Sequence, residues 1–160
     1  MNESADEHLV GVISDTHGLL RPEALDALAG VELIVHAGDI GTPEVLGRLQ
    51  PIAPVFAVRG NVDLGDWARQ LPATQVVPVG RVLLYVLHNA AELELDPAAA
   101  GFGAVISGHS HEPSAVERGG VLYLNPGSAG PRRLDLPVSL ARLRVQENRL
   151  QAELIELTEK

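Results

Sequence analysis

Cysteine is absent from all 160 residues. That excludes disulfides, zinc–thiolate sites and thiol nucleophiles together. Aromatic residues are scarce: two Phe, one Trp and two Tyr, or 3% of the chain. So few rings cannot build the stacking platforms that single-stranded nucleic-acid binders use. Basic residues are outnumbered, 12 Lys and Arg against 21 Asp and Glu, for a formal charge of −9. Such a surface repels phosphate backbones, so no nucleic-acid duplex is expected as a partner. No apolar run approaches the roughly 20 residues of a membrane helix. Met1 to His8 is polar and acidic and has no basic stretch ahead of an apolar one. The expectation is therefore no membrane association, no signal peptide and a cytoplasmic location. Any metal site must use His, Asp, Glu, Asn or backbone oxygen.

What remains is ordinary globular material: 46% hydrophobic and 21% charged residues, with 16 glycines and 11 prolines spread along the chain. The length suits one domain over 1–160, with 1–8 as a flexible polar tail. The first half alternates buried strands (9–14, 33–37, 55–58) with helices. Pro22 to Leu28 is a helix with Pro in its first turn and Gly30 as its stop. The second helix runs from Thr42 to about Gln50, with Thr42 as N-cap and Pro43 at the first position. This alternation predicts βαβ units and parallel pairing. The second half reads as strands over 75–79, 81–88, 104–107, 115–118, 121–125, 140–146 and 149–156, with a short helix over 96–100. Gly119-Gly120 and Glu147-Asn148 mark hairpin turns. In the last hairpin Leu143 and Val145 alternate with Arg142 and Arg144, so one face is buried and the other wet. Exposed hairpin edges leave a route to a homo-oligomer. Two sheets packed face to face with helices outside would cover every apolar face.

Chemistry concentrates where strands end. The first strand runs into Asp15-Thr16-His17-Gly18, the second into Gly38-Asp39, and the third into Arg59-Gly60-Asn61-Val62-Asp63. Two later strands end in His88-Asn89 and Gly108-His109-Ser110-His111. Ligands of α/β sheets bind beyond the carboxyl ends of strands. Each piece alone is an ordinary turn or loop. Together they place four of the six histidines, with Asp15 and Asp39, at one rim. Such a set suits Mn2+, Fe2+, Zn2+ or Ni2+ better than Ca2+. Asp15, His17, Asp39, Asn61, His88, His109 and His111 are too many ligands for one ion. They match two ions about 3.5–4 Å apart, the arrangement used in phosphoryl chemistry.

This ordered set resembles the calcineurin-like metallophosphoesterase superfamily and, within it, the YfcE-type phosphodiesterases. Asn125-Pro126-Gly127-Ser128 resembles their Asn-Pro-Gly-Ser signature. The resemblance runs from about Val10 to Arg132 and into the closing hairpin. It implies an α/β four-layer αββα sandwich of two mixed sheets flanked by helices. It also implies a phosphodiesterase that acts on small phosphodiesters through a hydroxide bridging two divalent metals, Mn2+ first among them. One metal would be held by Asp15, His17, Asp39 and His111. The other would be held by Asp39, Asn61, His88 and His109, with Asp39 bridging. Asn61 would also stabilise the phosphoryl oxygens. Asp63 would assist catalysis from behind the ligands, orienting a histidine or anchoring the Asn61 loop. Alternatives within the fold are a phosphomonoesterase or nucleotidase using the same metals, and a protein-binding scaffold without catalysis.

Two departures stand out. Many superfamily members carry histidine where Val62 stands, and YfcE-type chains often carry Gly-His where Asn89-Ala90 stand. Either could protonate a leaving group, so its loss favours leaving groups that depart without a proton. Arg59 and Arg132-Arg133 are candidates for binding substrate phosphate. His36, inside the second strand, reads as structural, and His8 as a tail residue with no role.

Overall fold

The computed structural model describes residues 7–157. Ten strands form two five-stranded sheets. The first is ordered β10-β9-β1-β2-β3 and the second β4-β5-β6-β8-β7. In the first, β1 (Glu7–Ile13), β2 (Leu33–His36) and β3 (Val55–Ala57) pair in parallel. They are linked by α1 (Pro22–Ala27) and α2 (Pro43–Leu49), as the alternation predicts. The hairpin of β9 (Ser139–Gln146) and β10 (Arg149–Glu156) returns to this sheet, with β9 antiparallel to β1.

The second sheet holds β4 (Thr74–Val79), β5 (Val82–Leu87), β6 (Ala104–Ile106), β7 (Ser114–Arg118) and β8 (Val121–Asn125). Its outer pairings, β4 with β5 and β7 with β8, are antiparallel. The two inner ones, β5 with β6 and β6 with β8, are parallel. Both sheets are therefore mixed. The turn between β7 and β8 uses Gly119 and Gly120 at φ +57° and +81°, the two positive values a primed hairpin turn needs.

The sheets meet face to face through branched side chains. Val10, Val12, Val35 and Leu143 of the first oppose Val77, Leu84, Val86 and Ile106 of the second, all essentially buried. On the outer face of the first sheet, Ile13, Ile34 and Leu140 pack against Ala24 and Leu28 of the α1 segment and Val45 and Leu49 of α2. The second sheet has a thinner cover. Leu87 and Val105 carry Leu93, just after a 3-10 turn at Ala90–Glu92.

Several local expectations change. The 96–100 segment makes one turn, with Ala100 N–H on Asp96 O, and stops because Gly101 takes φ +88°. The single turns at α3 (Asp66–Arg69) and Ala90–Glu92 are too short to leave a periodic signal. Thr42 has the extended backbone of an N-cap, yet its side chain makes no capping hydrogen bond. The position is exposed, so water can serve the first-turn N–H groups. Glu7 and His8 are not tail but the start of β1, because β9 extends far enough to pair with them. His8 Nδ1 lies 2.7 Å from Glu32 Oε2. Residues 1–6 of the expected tail lie outside the described residues. Among the described residues, no helix is long and apolar enough to cross a membrane.

Leu143 is fully buried between the sheets. We expect Leu143→Ala to destabilise the fold by about 2–5 kcal/mol. The urea midpoint should fall while the slope of the transition stays the same.

Candidate metal centre

The carboxyl ends of β1, β2, β3, β5 and β6 all deliver loops to one rim. Seven non-glycine residues among those described have φ between +47° and +74°. Five of them are Asp15, His17, Asp39, His109 and His111. A non-glycine residue in this region is uncommon and costs roughly 1–3 kcal/mol. Its concentration on these five side chains marks loops shaped for what they carry.

Asp15 is completely buried. Its Oδ2 accepts from Ser14 Oγ at 2.7 Å and from His109 N–H at 3.1 Å. Its Oδ1 faces His111 Nε2 at 3.3 Å, His17 Nε2 at 3.7 Å and His88 Nε2 at 3.9 Å. Asp39 Oδ1 accepts from Val62 N–H at 3.0 Å. Its Oδ2 lies 3.1 Å from His88 Nε2 and 3.8 Å from His17 Nε2. Two groups of donor atoms result, each within 4.8 Å: Asp15, His17 and His111, and Asp15, Asp39 and His88. Asp15 is common to both groups, while Asp39 Oδ2 lies between His17 and His88.

Within this cluster Asp15 Oδ1, His17 Nε2, His88 Nε2 and His111 Nδ1 are buried and have no hydrogen-bond partner. The His88–Asp39 approach is ion-pair close but lacks hydrogen-bond geometry. Buried lone pairs turned toward one another are costly unless a cation joins them. The donor set of imidazole nitrogen and carboxylate oxygen fits a divalent transition metal. His109 is outside both groups, which hold only His and Asp side chains, and Asn61 shares a cleft wall with it. Both are exposed, and with His88 they line a neighbouring cleft of about 630 Å3. The His109 and His88 rings meet edge to face, with centroids 5.2 Å apart.

Behind the ligands a set of polar residues locks the loops. Asp63 Oδ2 accepts from the Ile40 and Gly60 N–H groups and Oδ1 from Gly41 N–H, at 2.9–3.1 Å. These bonds tie the β2 loop to the β3 loop, which carries Asn61. His36 is fully buried. Its Nδ1 accepts from Gly38 N–H, and its Nε2–H points at Thr16 Oγ1, which donates to Ile40 O. Burial, with the nearby charges of His88 and His17, pushes His36 down to about 3 and keeps it neutral. The structural reading of His36 therefore holds. Asn125 donates to Gly108 O and accepts from Gly127 N–H, while Ser128 Oγ donates to Asp15 O. The Asn-Pro-Gly-Ser turn thus clamps the first and last ligand loops together. Gly60 has no room for a side chain, since a Cβ there would overlap Asp39 N and Oδ1.

Arg59 lines the larger cleft, and one of its Nη groups donates to Leu71 O at 3.1 Å. Arg132 lines a second cleft of about 260 Å3, with His17, His111 and Arg133.

Burial opposes charge on His88, but Asp39 and the Ala37 carbonyl outweigh it and hold the ring above its ordinary value. Burial likewise opposes ionisation of Asp39, but His88 and the Val62 N–H hold the carboxyl below its usual range. His111 is lowered, chiefly by burial, with Arg133 adding to it against the pull of Asp15. Nδ1 of His88 is spent on Ala37 O, 2.8 Å away, so a metal must take Nε2 and displace any proton there. Mn2+ affinity by calorimetry should fall, with more protons released, as pH drops through the raised His88 value. Affinity unchanged between pH 8 and pH 6 would contradict this.

Comparison with known proteins agrees with the geometry. Residues 9–148 match the calcineurin-like phosphoesterase superfamily domain. The chain is 36% identical over 159 residues to a probable metallophosphoesterase of Methanothermobacter thermautotrophicus, covering 92% of this chain and 91% of that one. It is 31% identical over 154 residues to the phosphodiesterase YfcE of Escherichia coli, covering 81% and 84%. Among solved structures, vacuolar protein sorting 29 of Cryptosporidium parvum superposes with a TM-score of 0.76 at 20% identity, covering 96% and 99%. That last likeness is one of fold. The chain belongs to the calcineurin-like phosphoesterase superfamily.

Proposed function

We propose that this chain is a phosphodiesterase that works with two divalent cations, Mn2+ first, with Ni2+, Fe2+ and Zn2+ as alternatives. The observation that carries the reading is the pair of donor groups sharing Asp15, whose residues hold four buried side-chain atoms lacking any hydrogen-bond partner. Asp15, His17 and His111, with Asp39 beside them, would hold one ion. Asp39 and His88, with Asn61 and His109 from the cleft wall, would hold the other. When bound, the cations supply Lewis-acid charge and lower the pKa of coordinated water.

The chain's own residues do the rest. The Val62 N–H fixes one oxygen of Asp39 and leaves the other facing His17 and His88. The Ala37 carbonyl orients the His88 ring so that Nε2 looks inward. The Asn61 amide, at the mouth of the larger cleft, can donate to a phosphoryl oxygen as charge builds there. Arg59 and Arg132 present guanidinium groups in the two clefts. Each cleft is walled by histidines of a different donor group, so both organic arms of a diester have room. A monoester would fill only one.

No histidine occupies position 62, and Val62 is 45% exposed. Asn89 uses its side-chain oxygen to cap Ala91 N–H. Neither can protonate a departing alcohol.

The test is to strip metal and assay bis(p-nitrophenyl) phosphate beside p-nitrophenyl phosphate with Mn2+, Ni2+, Zn2+ and Mg2+. Diester hydrolysis should return with a transition metal and exceed monoester hydrolysis. It should drop roughly 10²-fold or more in Asp39→Ala and Asn61→Ala, and fall steeply from aryl to alkyl leaving groups. Full activity in the stripped protein would overturn the reading. Equal rates across leaving groups would overturn the absence of a general acid.

A further inference from the structure

The two clefts beside the cluster differ in charge. The larger one carries one cation and two acids, Arg59 against Glu92 and Glu94. The smaller carries two cations, Arg132 and Arg133, and no acid. In a chain of net charge −9 this local excess runs against the whole surface. Among the described residues neither guanidinium, of Arg132 or of Arg133, has a hydrogen-bond or ion-pair partner, and both residues are exposed. Most other arginines are engaged, Arg81 and Arg149 being the exceptions among the described residues. Arg48, Arg59 and Arg142 donate to carbonyls, and Arg144 pairs with Glu7.

The backbone beneath the two arginines is held. Ser128 Oγ reaches Pro131 O at 3.1 Å, Arg21 Nε donates to Gly130 O at 2.9 Å, and Leu136 N–H closes a turn onto Arg133 O. Ser128 Oγ also donates to Asp15 O, which ties this loop to the ligand loop itself. Arg132 and Arg133, consecutive on an anchored loop, line one cleft with His17 and His111. Phosphate matches the guanidinium fork, and its second charge rewards a second arginine.

We propose that the physiological substrate is a diester with arms of unlike charge. The arm beside Arg132 and Arg133 carries a second, terminal phosphate. The arm in the Glu92 and Glu94 cleft is neutral or cationic. This rests on the phosphodiesterase reading and names the substrate class within it.

Two chromogenic diesters that differ in one group test it. They are thymidine 5′-(p-nitrophenyl phosphate) and the same compound bearing a 3′-phosphate. With the Mn2+-loaded enzyme, the phosphorylated probe should show a KM lower by roughly tenfold. That preference should shrink as salt rises and vanish in R132Q/R133Q. Equal KM values in the wild type, or a preference that survives in R132Q/R133Q, would overturn the proposal. Calorimetry separates its failure from that of the activity. Thymidine 3′,5′-bisphosphate should bind the metal-loaded wild type more tightly than thymidine 5′-monophosphate, and the variant should lose the difference. If neither ester is hydrolysed but the bisphosphate preference holds, the diesterase reading falls and the arginine cleft stands. If the bisphosphate binds no more tightly than the monophosphate, the cleft falls whatever the activity.

Discussion

The carboxylate of Asp15 is the constraint on which the site depends. It is fully buried at the end of a central strand. One oxygen is satisfied by Ser14 Oγ and His109 N–H, and the other is left with three imidazoles around it and no donor. A buried anionic oxygen without a partner is expensive. The fold tolerates it because its neighbours are fixed, and a divalent cation would remove the cost.

Holding the donors requires backbone that the sheets alone would not adopt. Asp15, His17, Asp39, His109 and His111 all take left-handed φ values. The compensation lies close behind them. Asp63 collects three backbone N–H groups from two loops. His36 bridges the first two loops through Gly38 and Thr16. Asn125 and Ser128 clamp the first to the last. The face-to-face sheets supply the rigid platform, with Val10, Val12 and Leu143 set against Leu84 and Val86. Five of the seven strained non-glycine positions thus sit at strand ends on candidate ligands, and the hydrogen bonds close behind them oppose that strain.

Much of this was legible in the chain. Runs such as Leu33 to Ala37 announce buried strands, and the residues that follow each run announce the rim. Asp15, His17, Asp39, His88 and His111 converge as their order suggests. Other features were not legible, for physical reasons. That Asp15 Oδ1 stands among three imidazoles while Asp39 Oδ2 faces two of the same rings depends on ångström-scale distances, which no spacing rule carries. The return of β9 to pair with β1 is a contact across more than 120 positions, from Glu7 to Gln146, so the first residues of β1 looked like tail. The anchoring of loops by Asp63 appears only once the β2 and β3 loops are side by side. The thin cover of the second sheet follows from Gly101, which halts the 96–100 segment after one turn.

The central claim is that these loops hold two divalent cations around Asp15 and Asp39. Anomalous diffraction at the manganese edge, from crystals of the Mn2+-loaded protein, tests it most directly. The account predicts two peaks, one among Asp15, His17, Asp39 and His111 and one among Asp39, Asn61, His88 and His109. A crystal with saturating Mn2+ and no peak at these residues would contradict it.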